Sequence, residues 1–329
     1  MKKEEIKINS KFGIINNRYY LDKILGEGYS GKEYQATDVK TKKIYAIKVF
    51  NEGEDELFEN EVKINKKLSE LNSPFFIKYI ESSKGNFISE EKTGVINYII
   101  FEFGEKGEAL NYISSPMGEK LSKVLFAKIL QIVKTLHNTG IYHHDLKLDN
   151  FIFDSHFNLK LGDFGFSSFV EKKENGRIKP QNIFSGTPKY MAPEVALKYS
   201  YDGEKADIFS LGVILFNIRL AKFGFTKFDL LGNKYLNLTN NLYKFIKDYK
   251  KELYWANFID INDLSEEFKD LYFKMVACAP KKRPSIEEIY NHEWMKEIRD
   301  LNDEELEKYN QELINEFKSR EEKMNKQTN

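Results

Sequence analysis

Apolar and polar residues alternate along positions 19–50. "YYLDKILGEGYSGKEYQATD" and "KIYAIKVF" are rich in β-branched and aromatic residues at the two-residue period of strands. The period then lengthens. In "DELFENEVKINKKLSEL", Leu57, Val62, Ile64, Leu68 and Leu71 recur near helical spacing. Two more strands are expected, one around Phe75–Glu81 and one in "GVINYIIFEF". From Leu121 the pattern turns helical through "SKVLFAKILQIVKTLHNTG", with Gly140 as its stop. Residues 151–161, "FIFDSHFNLKL", read as a hairpin whose polar turn leaves His156 solvated. Beyond Pro193 the chain reads as mostly helical. A strand-rich first third thus precedes a helix-rich remainder, an α+β, two-lobed layout joined near residues 102–108. The charged tail, residues 298–329, carries one helical stripe: Leu306, Tyr309, Leu313 and Phe317. That stripe fits docking on the main domain, or an autoinhibitory or partner-binding helix.

Composition narrows the class. Lys plus Arg is 51 and Asp plus Glu is 51 over 329 residues, so the formal charge is zero. Such a chain has no bulk attraction to nucleic acid or to an anionic membrane, and neither is expected as a partner. The opening "MKKEEIKINSKF" is charged where a signal peptide needs an apolar core. No apolar run reaches the roughly 18 residues of a membrane helix, and "IFSLGVILFNI" reads as a buried helix. The lone cysteine, Cys278, sits in the apolar stretch "LYFKMVACAP" and reads as a buried structural thiol. A reducing, cytoplasmic compartment fits that usage. Oligomeric state is not readable.

Three stretches carry chemistry. "LGEGYSGKEY" sets Gly26, Gly28 and Gly31 in G-x-G-x-x-G spacing between two strands, with Lys48 on the next strand. In a dinucleotide fold this spacing joins a strand to a helix. Between strands it suits a flap over nucleotide phosphates, whose charge Lys48 would neutralise. "HHDLKLDN" and "GDFG" then offer Asp145, Asn150 and Asp163, hard oxygen donors suited to Mg²⁺. A zinc site at His143–His144 is disfavoured. Neighbouring side chains diverge in extended backbone, and only five histidines and one cysteine exist in the chain.

The motifs "GEGYSG", "AIK", "HHDLKLDN", "DFG", "GTPKYMAPE", "DIFSLG" and "KKRP" occur in that order between about Tyr20 and Trp294. Together they resemble a eukaryotic protein kinase of the serine/threonine branch, with a general likeness to the calcium/calmodulin-dependent group and related protozoan kinases. The resemblance implies a kinase domain over residues 19–297: an N-lobe to about 101, a hinge over 102–108 and a C-lobe from 109. Residues 1–18 would be an extension and 298–329 a helical tail. It implies ATP and Mg²⁺. Lys48 would meet the α/β-phosphates and pair with Glu61, or with Glu59 as the alternative. Asp163 and Asn150 would hold the metal. Asp145 would be the catalytic base, and Lys147 would steady the transferred phosphate. Leu25, Ala46 and Ile152 would lie against the adenine, with Phe101 as gatekeeper. The Glu102 carbonyl and Gly104 amide would meet the adenine edge, and Glu108 the ribose. Thr187 with Lys147 marks serine/threonine acceptors in protein substrates. Glu108 and Asp149 would favour basic residues N-terminal to the acceptor. Glu194 with Arg283, and Asp207, would be structural.

Four positions depart from that pattern. Glu33 stands where an apolar residue would cover the adenine. Asn65, four residues after Glu61, places a polar group where the Phe164 region expects an apolar one. The glycine turn carries Tyr29 instead of an aromatic one place later. His144 replaces an arginine that would receive a phosphate on the activation segment, whose candidate acceptors are Ser167, Ser168 and Ser185.

Overall fold

The alternation over residues 19–50 becomes strands because each side of the resulting sheet has something to bury. The computed structural model describes residues 12–90, 92–184, 186–222, 242–248, 250–258 and 264–328. It divides into two compact units. One is built from the described residues up to Lys106 together with Gly162–Gly165. The other is built from Gly107–Leu161 and the described residues from Phe166 onward.

The first unit is the strand-rich one. Strands β1 (Ile14–Ile15), β2 (Tyr19–Glu27), β3 (Gly31–Asp38), β4 (Ile44–Phe50), β5 (Tyr79–Ile88) and β6 (Thr93–Glu102) close in the order β1-β2-β3-β4-β6-β5. The extension expected over residues 1–18 thus supplies Ile14 and Ile15, both buried, to this barrel. Leu21, Ala36, Ile47 and Ile100 fill one side of the sheet, each fully buried. Phe50, Ile99 and Phe101 fill the other, under Phe58 and Val62 of helix α1 (Asp55–Ser69). Strand β6 is therefore covered on both faces, which is why "YIIF" is a continuous apolar run. Each such side chain contributes roughly 1.5–3 kcal/mol of burial.

Two expectations shift here. The strand expected around Phe75–Glu81 runs instead over Tyr79–Ile88. Its "ESSKGNFI" portion is mostly half-exposed, so apolar alternation does not mark it. Leu71 lies beyond the end of α1 and is 41% exposed, because the helix stops two residues short of it.

The second unit is mainly helical. Helix α2 (Glu119–Asn138) ends before Gly140, whose φ of +75° suits glycine. Short antiparallel pairs follow. Strand β7 (Gly107–Glu108) pairs with β9 (Phe151–Phe153), and β9 pairs with β10 (Leu159–Leu161). Strand β8 (Ile141–Tyr142) pairs with β11 (Ser168–Phe169). Helix α3 (Pro193–Ala196) precedes helix α4 (Gly203–Leu220), which is capped by Asp202 and buried on nearly every face. That burial accounts for the apolar "IFSLGVILFNI". No described helix is long and apolar enough to cross a membrane.

Cys278 is only half-buried, contrary to its apolar context. It follows the helix Glu266–Met275, in the turn that offers its carbonyl to Arg283. The tail forms a helix, Asp303–Thr328, that docks within this unit. Leu313 and Phe317 are buried, and Phe317 lies on Tyr112, Phe153 and Phe157. Arg320, also buried, donates to the carbonyls of Tyr112, Ser115 and Pro116 at 2.8, 2.8 and 3.2 Å.

Candidate functional site

Strand alternation brings Lys48 into the first unit's interior. Ile47 points to one side of β4, so Ala46, Lys48 and Phe50 share the other, facing α1. Helix α1 turns Glu61 inward at the same level. The Lys48 ammonium lies 2.8 Å from Glu61 Oε2 and 2.9 Å from Asp163 Oδ1. Glu61 is fully buried, while Glu59 is exposed. Burial alone would lower the Lys48 pKa. The charges of Asp163, Glu61 and Glu33 outweigh it and hold the lysine charged.

Asp163 adopts φ +53°, and its side chain remains a third exposed. Next to it, Phe164 packs edge-on against Phe76 at 6.0 Å. A side chain at Gly165 would crowd Lys48, Glu61 and Asp163 within 3.1–3.3 Å. Asn65 is buried, and its amide donates to the Glu61 carbonyl at 2.9 Å. The polar group expected to weaken the Phe164 region is thus satisfied by its own helix.

The glycine turn links β2 and β3. A Cβ at Gly31 would fall 2.0 Å from the Val49 carbonyl oxygen, so only glycine fits there. At Gly26 and Gly28 an added Cβ would meet nothing within 4 Å. Tyr29, at the tip, is 71% exposed. Leu25 is half-buried on β2. Ala46 faces Phe101 across β4 and β6, and Gly104 is half-buried just beyond. The Glu102 carboxylate is tied back by the Lys78 amide at 2.8 Å. Glu33 pairs with Lys48 across β3 and β4. Directly opposed residues share a face, so Glu33 turns toward Lys48, not outward.

In the second unit, the loop after β8 is gathered by Asp207 on α4. Its carboxylate accepts from the His143 and His144 amides, both at 2.9 Å, and lies 2.8 Å from His137 Nε2. The loop presents Asp145, which is 5% exposed. Asp145 Oδ2 lies 2.9 Å from the Lys147 ammonium, and Oδ1 accepts from the Thr187 amide at 2.6 Å. Lys147 also donates to Thr187 Oγ1 at 3.0 Å. Asn150 donates its amide to the Asp145 carbonyl at 2.8 Å, leaving the side-chain oxygen as the acceptor end.

Glu108 and Ile152 face each other across β7 and β9. Burial raises the Glu108 pKa, and Asp149 adds to that while Lys147 opposes it. Glu194 and Arg283 form a buried bidentate pair at 2.6 and 2.7 Å. Ser167 is buried and donates to the His143 carbonyl, and Ser168 contacts the His144 ring. Ser185 lies outside the described residues. Burial pushes the His144 imidazole pKa down to about 4, so the ring is neutral near pH 7.

The protein kinase domain family matches this chain over residues 19–295. The chain belongs to that family. The kinase chain is 29% identical over 294 residues to CBL-interacting protein kinase 10 of Oryza sativa subsp. japonica, covering 88% of itself and 59% of that protein. It is 32% identical over 291 residues to CBL-interacting serine/threonine-protein kinase 13 of Arabidopsis thaliana, covering 86% and 52%. It is 29% identical over 286 residues to NUAK family SNF1-like kinase 1 of Homo sapiens, covering 85% and 39%. The kinase chain therefore spans about half the length of these relatives. Its likeness to the calcium/calmodulin-dependent group is looser than its likeness to the family.

Sequence reading missed three residues that bear on this kinase's loops: Tyr201, Gln181 and Arg320. Tyr201 reaches His144 across 57 positions and Arg320 reaches Tyr112 across 208. No local pattern announces contacts of that range. The one local signal is the place of Arg320, three residues after Phe317 on the same helical stripe.

Proposed function

We propose that this chain transfers the γ-phosphate of ATP to serine and threonine hydroxyls of protein substrates. The observation that carries the reading is Lys48 held between Glu61 and Asp163 at 2.8 and 2.9 Å. A buried ammonium kept charged by two carboxylates is already in place for phosphate oxygens, so no reorganisation is needed when they arrive. Gly26 and Gly28 fit the same ligand. No described residue comes within 4 Å of a Cβ built on either, so a ligand could approach the backbone there closely.

Asp163 and Asn150 would hold Mg²⁺: each offers an oxygen donor of the kind a hard cation takes, and the Asp163 carboxylate is partly exposed. Bound Mg²⁺ would supply positive charge to the phosphate oxygens. Asp145 would orient the acceptor hydroxyl and accept its proton at a carboxylate oxygen. Lys147, already on Asp145, would offset charge on the transferring group. Leu25, Ala46, Phe101 and Ile152 would line the adenine, with the Glu102 carbonyl and Gly104 amide at its edge and Glu108 at the ribose. Asp149 is close enough to Glu108 to help raise its pKa, and this pairing of acids supports a preference for basic residues N-terminal to the acceptor.

A nucleotide-binding scaffold without transfer is the second reading. Glu33, turned toward Lys48, favours it, since a carboxylate there opposes an anionic ligand. A peptide-array assay with Mg-ATP, run beside Asp163→Asn, separates the two. Transfer to Ser/Thr peptides by the wild type, lost in the variant, supports the kinase. ATP binding without transfer to any peptide pool supports the scaffold.

A further inference from the structure

His144 is held through both its ring and its main chain. Its ring, 8% exposed, is bonded at both nitrogens. Nε2 lies 2.8 Å from Ser168 Oγ, and Nδ1 lies 3.1 Å from the Tyr201 hydroxyl. That hydroxyl donates to the Ile183 carbonyl at 2.9 Å. The tyrosine proton is therefore spent on Ile183, so Nδ1 must carry the hydrogen of the first bond. Nε2 of the neutral ring is then the acceptor for Ser168. The serine has one proton for two acceptors, Nε2 at 2.8 Å and Gln181 Oε1 at 3.2 Å, and the shorter contact takes it.

The main chain of His144 is engaged as well. Its amide is held by Asp207, and its carbonyl oxygen would lie 2.7 Å from any Cβ at Gly186. Gly186 has φ +114°, so both its conformation and its closeness to His144 require glycine. The segment from Ser168 to Thr187 thus begins on the His144 ring, returns to it through Ile183, and passes over its carbonyl at Gly186. One residue later the Thr187 amide reaches Asp145 at 2.6 Å.

The geometry points to His144 as a positioning residue: a neutral latch, with Ser168 and Tyr201, that holds the Ser168–Thr187 segment so that Thr187 is delivered to Asp145. The latch contains no cation and no anion, so it closes without a phosphate on the segment. This rests on the phosphotransfer reading above, because the latch matters to catalysis only if Asp145 acts on a hydroxyl. Backbone pairs also hold the segment: Ser168 to Tyr142, and Gln181 to Tyr201. The competing account is that these pairs suffice and the ring is redundant.

The test uses Tyr201→Phe, which deletes one oxygen and so two of the bonds, Ser168→Ala, which deletes the other arm, and Ser168→Thr, which keeps a hydroxyl. Hydrogen exchange is followed on peptides covering residues 168–184. Steady-state transfer is measured in parallel, with the KM for ATP separated from kcat. Faster exchange by roughly tenfold in Tyr201→Phe and Ser168→Ala is expected, with kcat down roughly tenfold, the KM for ATP unchanged and Ser168→Thr close to wild type. Unchanged exchange in both variants overturns the latch. Faster exchange with unchanged kcat overturns the positioning role. A wild type that transfers no phosphate overturns the kinase reading and with it the positioning role, while the exchange arm still decides whether the latch exists.

Discussion

Two buried polar networks organise this protein, and they work by opposite means. In the strand-rich unit, Lys48, Glu61 and Asp163 are joined by full charges at 2.8 and 2.9 Å. In the helical unit, His144, Ser168 and Tyr201 are joined by neutral hydrogen bonds at 2.8 and 3.1 Å. The charged network holds a buried cation in place, which the proposed function assigns to an anionic ligand. It is costly to damage, because any missing partner strands a buried charge. The neutral network fixes chain geometry without leaving a charge for a ligand. Losing one bond there costs only about 0.5–1.5 kcal/mol. The difference suits the proposed roles: one holds charge for phosphate, the other places a loop. Arg320 is an intermediate case, a buried cation with one carboxylate partner, Glu316 at 2.7 Å, and three neutral carbonyl acceptors.

Breaking the charged network should produce the largest effect. Lys48→Met leaves Glu61 buried without its cation, which should cost about 3–5 kcal/mol of stability and abolish transfer. Denaturant titration checks the first part. Adding Glu61→Leu should recover much of the stability and none of the activity. If Lys48→Met melts like the wild type, the pair is not what holds α1 to β4.

The intermediate case should give an intermediate loss. Arg320→Ala leaves three carbonyls short of a donor, and about 2–4 kcal/mol of stability should go with them. The same titration reads it. An unchanged midpoint would mean that the tail helix is carried by Phe317 and Leu313 alone.

Titration should expose the neutral network. The His144 pKa in the fold is about 4, below its ordinary value of 6.5, so the unfolded chain takes up the proton first. Stability should therefore fall as pH drops from about 6.5 toward 4, with no contribution from this ring above that window. Asp207, His143, His137 and Tyr201 face the ring. The informative quantity is the difference between wild type and His144→Gln across that range. Parallel curves would show that the ring is not held neutral.

Glu33→Val sharpens the charged network with the smallest change. Removing a carboxylate that faces Lys48 and adding an apolar surface should tighten ATP binding several-fold. Calorimetric titration giving equal or weaker affinity would contradict the geometry assigned to Glu33.

Much of this was legible in the sequence because the signals are local. Alternation from Tyr19 to Phe50 announces strands, and Lys48 is conspicuous as a lysine in an apolar strand. Asp145, Lys147 and Asn150 sit within one short loop, so their company is set by chain spacing. The strand Tyr79–Ile88 was misplaced because its polar, half-exposed residues give no period to read. Asn65 was read as an irritant because a side chain that bonds its own helix four residues back looks the same in sequence as an unsatisfied one. The latch was invisible for a different reason. His144 could be seen as unusual, but its partners Ser168 and Tyr201 lie 24 and 57 residues away. Only the fold brings them to the two nitrogens of one ring.

The central claim is that this chain assembles a working phosphotransfer site from its own side chains, with no phosphate on the Ser168–Thr187 segment. The direct measurement is the rate of transfer from Mg-ATP to a Ser/Thr peptide by phosphatase-treated protein whose intact mass shows no phosphate, timed over its first turnovers. The account predicts transfer from the first turnover, at the rate of untreated protein and absent in Asp145→Asn. A lag that ends only as the segment becomes phosphorylated, or no transfer until it is, would contradict it.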